Sequence, residues 1–330
     1  MLKLLVAGLM LLLAVSGPAQ KVPLVHTYSI VARDAATGEM GVAVQSHWFS
    51  VGSIVTWAEA GVGAVATQSF VDPGYGLKGL ELMRGGMPAP AALEQLVAAD
   101  KQPDGRQVAM IDAQGRVSAY TGKSAIAAAG HQIGDQYSVQ ANMMASAKVW
   151  PAMAAAYEST KGDLAERLLA ALDAAERAGG DARGRQSAAL LVVKAKGTGR
   201  PWVGADRVFD LRVDDHPQPV PELRRLVRLQ RAYAHANRGD ELMTEQKVDE
   251  ALKEYEASSK IAPEIQELPF WHAVTLASVG REKEAAPIFR SVFAKEPQWV
   301  GLLTRLPAAG LMPNDPALMK RILALAPGRK

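Results

Sequence analysis

Three prolines crowd into five residues in His216-Pro217-Gln218-Pro219-Val220-Pro221, and this segment divides the chain. Proline fixes φ and carries no amide N–H, so such a run suits neither a helix interior nor a central strand. It reads as a linker. Ahead of it the sequence is broken into short strand-like runs and a few helical ones; behind it every segment has helical periodicity. At 330 residues the chain exceeds one average domain. The expected organisation is a mixed domain over residues 21–218 and an all-α domain over residues 219–330.

Within the mixed domain, TYSIVAR, MGVAVQS, SIVTW and GAVATQS read as strands. Apolar neighbours such as Val42-Ala43-Val44 do not alternate with polar residues, which implies strands covered on both faces. Residues 77–99 are helical with a break at Gly85-Gly86 and Pro88. A hairpin follows over residues 108–112 and 117–121, turning at Gln114-Gly115. After a strand at 137–142 come helices at 148–158 and 163–178. Leu164, Leu168, Ala171, Leu172 and Ala175 form one stripe on the second of these helices, suited to packing on a sheet. SAALLVVK and residues 208–213 supply the last strands. This order fits an α+β layered domain better than repeated βαβ units.

The first twenty residues, MLKLLVAGLMLLLAVSGPAQ, place Lys3 before an apolar run and then small residues around Ala19. That is the pattern of a signal peptide, with a run too short for a stable membrane span, and it predicts a periplasmic or secreted protein. Export commonly brings disulfides, yet the chain has no cysteine, so thiol catalysis and Cys zinc sites are excluded. A net charge of +3 spread among nearly equal acids and bases gives no nucleic-acid footprint.

Beyond the prolines there is a period. Ala251, Tyr255 and Pro263 recur as Ala285, Phe289 and Pro297, each 34 residues on, which is the length of a tetratricopeptide repeat. Trp271, Ala277, Gly280 and Glu284 fit the same pattern. Between Arg238 and Lys247 the first copy has no counterpart of the turn glycine at the matching spacing. A groove between such helices suits a protein partner, and two repeats fall short of the usual three, so this region is expected to pack on the first domain or to form a homo-oligomer.

TYSIVARD, GVAVQSHWFSVGS, AEAGVGAVATQS, DPGYGLKGLELM, RGRQSAALLVV and DLRVDDHP, in this order, resemble the Ntn-hydrolase-like family known as domain of unknown function 1028. The resemblance spans residues 27–226. It implies a four-layer αββα sandwich with Thr27 at the position of the N-terminal nucleophile. In such an enzyme the hydroxyl attacks an amide carbonyl and the residue's own α-amine, of unperturbed pKa about 7.7–8.0, takes the proton, with no triad and no cofactor. The chain would then be an exported amidohydrolase acting on a small amide or a peptide. Similar proteins include exported ones and ones carrying a cell-wall-binding module, which directs the expectation to envelope amides. Signal peptidase would cut near Ala19, so freeing the Thr27 amine needs a second cut after His26. Without that cut, the reading is an inactive Ntn-fold binding or adaptor protein, Thr27 being an ordinary β-branched strand residue.

Secondary candidates surround this residue. Ser46 and His47 end the second strand; relatives carry Lys in place of His47, so a cationic role requires a protonated imidazole, and a solvent-facing strand end is the alternative. Asn142 can donate to an oxyanion or simply form a turn. Arg183 and Arg185 can bind a substrate carboxylate, or decorate a loop. Asp72, in Asp72-Pro73-Gly74-Tyr75-Gly76, is a candidate substrate contact, although turn chemistry accounts for the motif and the Lys-Ser/Thr of a phosphate loop is missing. Asp214 and His216 are a weak metal pair, because adjacent strand residues point to opposite faces and no third ligand is evident.

Overall fold

The computed structural model describes residues 24, 25, 27–199 and 204–328; the leader expected over residues 1–20 lies outside them. Strands β1 (Leu24–Val25), β2 (Thr27–Arg33) and β3 (Met40–Ser46) are followed by a single helical turn α1 (Gly52–Val55), then β4 (Thr56–Glu59) and β5 (Gly63–Phe70). Helices α2 (Gly74–Arg84) and α3 (Ala89–Ala99) precede β6 (Arg106–Asp112), β7 (Val117–Thr121), β8 (Gly130–Gly134) and β9 (Tyr137–Ala141). Next come α4 (Val149–Ser159), α5 (Leu164–Arg177), β10 (Ser187–Val193) and β11 (Arg207–Val213).

The strands form two antiparallel sheets. One runs β11-β10-β3-β2-β9-β8; the other runs β1-β5-β6-β7, with β4 also paired to β5. Alternate residues of β2 serve different layers, as a pleated strand requires. Tyr28, Ile30 and Ala32 pack with Leu164, Leu168 and Leu172 of α5 and with Met153 of α4. Val31 packs with Val42 and Val44 and, across the gap, with Ala64, Ala66, Ala109 and Ile111 of the second sheet. Both faces are covered, which is why these strands read as continuous apolar runs. On its outer face the second sheet carries Val65, Val108 and Met110, which meet Tyr75, Leu80 and Met83 of α2 and Ala92 and Leu93 of α3. Gly76 of α2 is needed for this contact, since a Cβ there would lie 2.3 Å from Trp57.

Two expectations change. SIVTW begins as a helical turn rather than a strand: Thr56 Oγ1 donates to Gly52 O at 2.7 Å, and a Cβ on Gly52 would sit 2.5 Å from that of Ala189. The segment read as a linker runs directly into a helix. Pro219 and Pro221 occupy the first turn of α6 (Pro219–Thr244), where a missing N–H costs nothing because the first helical amides have no intrahelical acceptor. Val220, Leu223 and Val227 then pack with Phe209 and Val213 of β11. Arg224 reaches Asp173 at 2.7 Å and Arg231 reaches Asp163 at 2.7 Å, so α6 is fastened to α5 as part of the mixed domain before its far end enters the helical region.

That region comprises α7 (Val248–Ile261), α8 (Glu267–Ser278), α9 (Glu282–Lys295), α10 (Gln298–Leu303) and α11 (Pro316–Leu323). Its core holds Phe270, Phe289 and Phe293, all fully buried. Of the residues recurring every 34 positions, Ala251 and Ala285 are fully buried and Tyr255 and Phe289 nearly or wholly so, while Pro263 and Pro297 are exposed just beyond the helix ends. The turn also recurs. Lys247 N donates to Leu242 O at 2.9 Å and Gln246 N to Met243 O at 3.0 Å; Arg281 N donates to Leu276 O at 2.8 Å and Gly280 N to Ala277 O at 3.2 Å. Gly280 has φ +83°, and Gln246, at the equivalent place, is forced to φ +61°. A left-handed residue with a Cβ is disfavoured by roughly 1 kcal/mol. Gln246→Gly is expected to raise stability by about that amount, checked by urea denaturation; a loss of stability would show that the Gln246 side chain has a contact outweighing the strain.

Candidate functional site

Where the chain passes from β1 in one sheet to β2 in the other, Thr27 stands first in its strand, opposite Ser46 of β3. Its side chain lies on the same face as Ser29 and Val31, toward the second sheet, and is fully buried. Thr27 Oγ1 donates to Ser46 Oγ at 3.1 Å. The Thr27 carbonyl is held from two sides: Asn142 N donates at 3.0 Å from the end of β9, and Gln68 Nε2 donates at 3.1 Å from β5.

Beside Thr27 the space between the sheets is polar. Ser29 Oγ donates to Gln68 Oε1 at 2.6 Å and accepts from Gln140 Nε2 at 2.6 Å. Gln68 Nε2 also donates to Gln107 Oε1 at 2.7 Å, and Asn142 Nδ2 reaches the same oxygen at 2.9 Å. Gln107 Nε2 donates to Ala141 O at 2.8 Å, Thr121 Oγ1 at 3.0 Å and Gly130 O at 3.2 Å. Gln68, Gln107, Gln140, Asn142 and Ser29 are all fully buried. A buried amide is costly unless its donors and acceptors are matched, and a matched network fixes one arrangement of its members. These glutamines therefore lock the two sheets in register around Thr27. Residue-by-residue reading of the sequence missed Gln68, Gln107 and Gln140. The available signal was a long amide within otherwise apolar runs, as in GAVATQS and YSVQAN.

The other candidates sit around the same end of the first sheet with different partners. Asn142 Nδ2 is engaged by Gln107 and faces the Thr27 carbonyl at 3.4 Å, so its amide orients Thr27. His47 is exposed; its N–H donates to Asp181 Oδ2 at 3.1 Å and its ring lies by Arg185 O, so the imidazole faces the 181–187 loop. Arg183 forms an ion pair with Asp181 at 2.7 Å, and Arg185 pairs with Glu176. The Tyr28 hydroxyl also donates to Glu176. Burial first, and then the Glu176 charge, push the Tyr28 phenol well above its usual pKa, keeping it a neutral donor. Arg185 thus braces the loop against α5 beside the Thr27 strand, while Arg183 pairs within the loop.

Asp72 forms a turn, accepting from Gly74 N at 2.8 Å, and lines a small cleft with Tyr75, Lys78, Asp100 and Arg106. In that cleft the buried Arg106 pairs with Asp100 at 2.7 Å and donates to Phe70 O at 2.6 Å. Burial acts to raise the Asp100 carboxyl, but Arg106, Gln102 N–H and the Tyr75 hydroxyl outweigh it and hold it below the usual range. Asp214 accepts from Ser50 Oγ at 2.6 Å, a contact between two distant loops, and His216 Nδ1 accepts from Gln218 N at 3.0 Å, a local turn contact. Among the described residues no three metal-ligating side chains gather in one place.

Fold and site together define a class: a mixed α/β protein of two facing antiparallel sheets, with a buried threonine at the head of an inner strand. Within that class, the chain belongs to the family of unknown function DUF1028, whose profile matches residues 27–223 and so begins on Thr27 itself. The crystal structure of protein SPO2555 from Silicibacter pomeroyi, of the same family, is similar with a TM-score of 0.55 at 30% sequence identity, over 61% of this chain and 87% of that one. No curated protein matches. No helix among the described residues is long and apolar enough to cross a membrane.

Proposed function

We propose that the chain is an exported amidohydrolase of the N-terminal-nucleophile type, built on an αββα sandwich, with Thr27 as nucleophile and, once its amine is free, as base. The observation that carries this reading is the placement of Thr27: first in its strand, its hydroxyl on Ser46 and its carbonyl clamped by Asn142 and Gln68. These contacts fix the hydroxyl and the backbone at the start of the strand, where the reacting groups of such a nucleophile stand.

In the precursor, Thr27 Oγ attacks the carbonyl carbon of residue 26. An ester forms as the amide C–N bond breaks, and water then hydrolyses the ester, leaving a free Thr27 α-amine. In turnover the same oxygen attacks a substrate carbonyl; its proton passes through the α-amine to the leaving amine, and water releases the acyl group as a carboxylic acid. Ser46 orients the hydroxyl, while Gln68, Gln107 and Asn142 hold the backbone of the nucleophile fixed, the positioning on which such catalysis depends. The helical region, read as tetratricopeptide-like, offers a groove for a protein partner at the cell envelope.

Labelling tests the reading. A β-lactone acylating reagent added to the purified protein is expected to modify one site, located on Thr27 by peptide mass mapping. Modification elsewhere, with Thr27 untouched, contradicts it.

A further inference from the structure

Strand β5 has β6 along one edge. On the other edge, β4 pairs only with the first half of β5, matching Thr56 to Ala66 through Glu59 to Gly63. The second half of that edge is covered by the chain's own upstream residues, with Leu24 opposite Phe70 and Val25 opposite Ser69 in antiparallel register. Two residues beyond Val25 comes Thr27, whose carbonyl is gripped by the Gln68 side chain of the same β5 strand. Residues on either side of the cleavage point are therefore anchored on one strand: Leu24 and Val25 by backbone pairing with Phe70 and Ser69, and the Thr27 carbonyl by Gln68.

We infer that this half-edge of β5 is the substrate slot, and that the substrate is an extended peptide which adds a strand there. The inference rests on the hydrolase reading above. Residues 24 and 25 are the occupant before processing. Removal of the leader exposes the backbone groups of Ser69 and Phe70, and an unpaired strand edge beside a nucleophile is a template for another extended chain. The bound peptide places two residues at the positions of Leu24 and Val25 and its scissile carbonyl on Thr27 Oγ. That carbonyl forms an ester with Thr27 as its C–N bond breaks, the hydroxyl proton leaves with the amine, and water completes hydrolysis. A strand is recognised mainly through its backbone, so length and free amide N–H groups govern the rate more than side-chain identity.

Two fluorogenic amides test this on the full chain purified after export, its start first fixed by intact mass. One is acetyl-His-aminocoumarin; the other is acetyl-Pro-Leu-Val-His-aminocoumarin, which copies residues 23–26. The longer probe is expected to show kcat/KM about tenfold or more higher, the worth of one or two backbone hydrogen bonds, and methylating its Leu and Val nitrogens in turn is expected to abolish the gain at one of them. Equal, Thr27-dependent turnover of both probes, or a gain indifferent to both methylations, overturns the slot while leaving the nucleophile in place. A chain that starts at Thr27, is labelled there and cuts neither probe also overturns the slot alone. A chain that keeps its leader overturns both readings.

Discussion

Thr27→Ala is expected to yield a folded protein that retains the residues ahead of position 27 and hydrolyses no amide, with activity at least about a thousandfold below the parent. Removing the hydroxyl deletes one hydrogen bond, to Ser46 Oγ, and a methyl group in a buried position, for a cost of roughly 1–2 kcal/mol. The strand keeps its pairing with β3 and β9, and the clamps on the Thr27 carbonyl are backbone directed and unaffected. Circular dichroism, intact mass and turnover separate the possibilities. Loss of processing together with activity and retention of fold is the expected pattern; full activity in a folded Thr27→Ala protein removes Thr27 from the chemistry.

Gln107→Leu is expected to lower stability by roughly 2–4 kcal/mol, because several buried groups lose partners at once. Gln68 Nε2 and Asn142 Nδ2 lose their shared acceptor, and Ala141 O loses a donor, all in space inaccessible to water. For a domain of about 200 residues this corresponds to a fall of roughly 5–15 °C in Tm. The substitution also removes one partner of the Asn142 amide beside Thr27, so processing is expected to slow beyond what instability alone produces. A calorimetric scan showing an unchanged Tm would mean that the network relaxes around the leucine and does not hold the sheets.

Much of the layered domain was legible because its strands obey simple rules. TYSIVAR and SAALLVV are buried on both faces and both are inner strands; Gly85-Gly86 and Pro88 separate α2 from α3; Gln114-Gly115 turns β6 into β7. The proline segment misled for a positional reason: the same residue that breaks a helix interior suits its first turn, and nothing local distinguishes the two until Val220, Leu223 and Val227 are seen against β11. The strand at Gly130–Gly134 escaped notice because its glycines and polar residues lack an apolar period, although it pairs with β9 along its whole length. Thr27 was found through the resemblance of its surrounding blocks. Gln68, Gln107 and Gln140 were not, because a polar residue in a strand reads as facing water until the sheet that covers it is known. Their meeting depends on which strands oppose one another across the two sheets, a long-range property that no local window contains.

The central claim is that Thr27 becomes the first residue of the working protein. Intact mass with N-terminal sequencing of the full chain, purified from a host that exports it, tests this most directly. A mature chain starting at Thr27, with Thr27→Ala remaining longer, is the expected result. A start at or near Gln20 in the parent protein, with the Thr27 amine still in peptide linkage, would contradict the account.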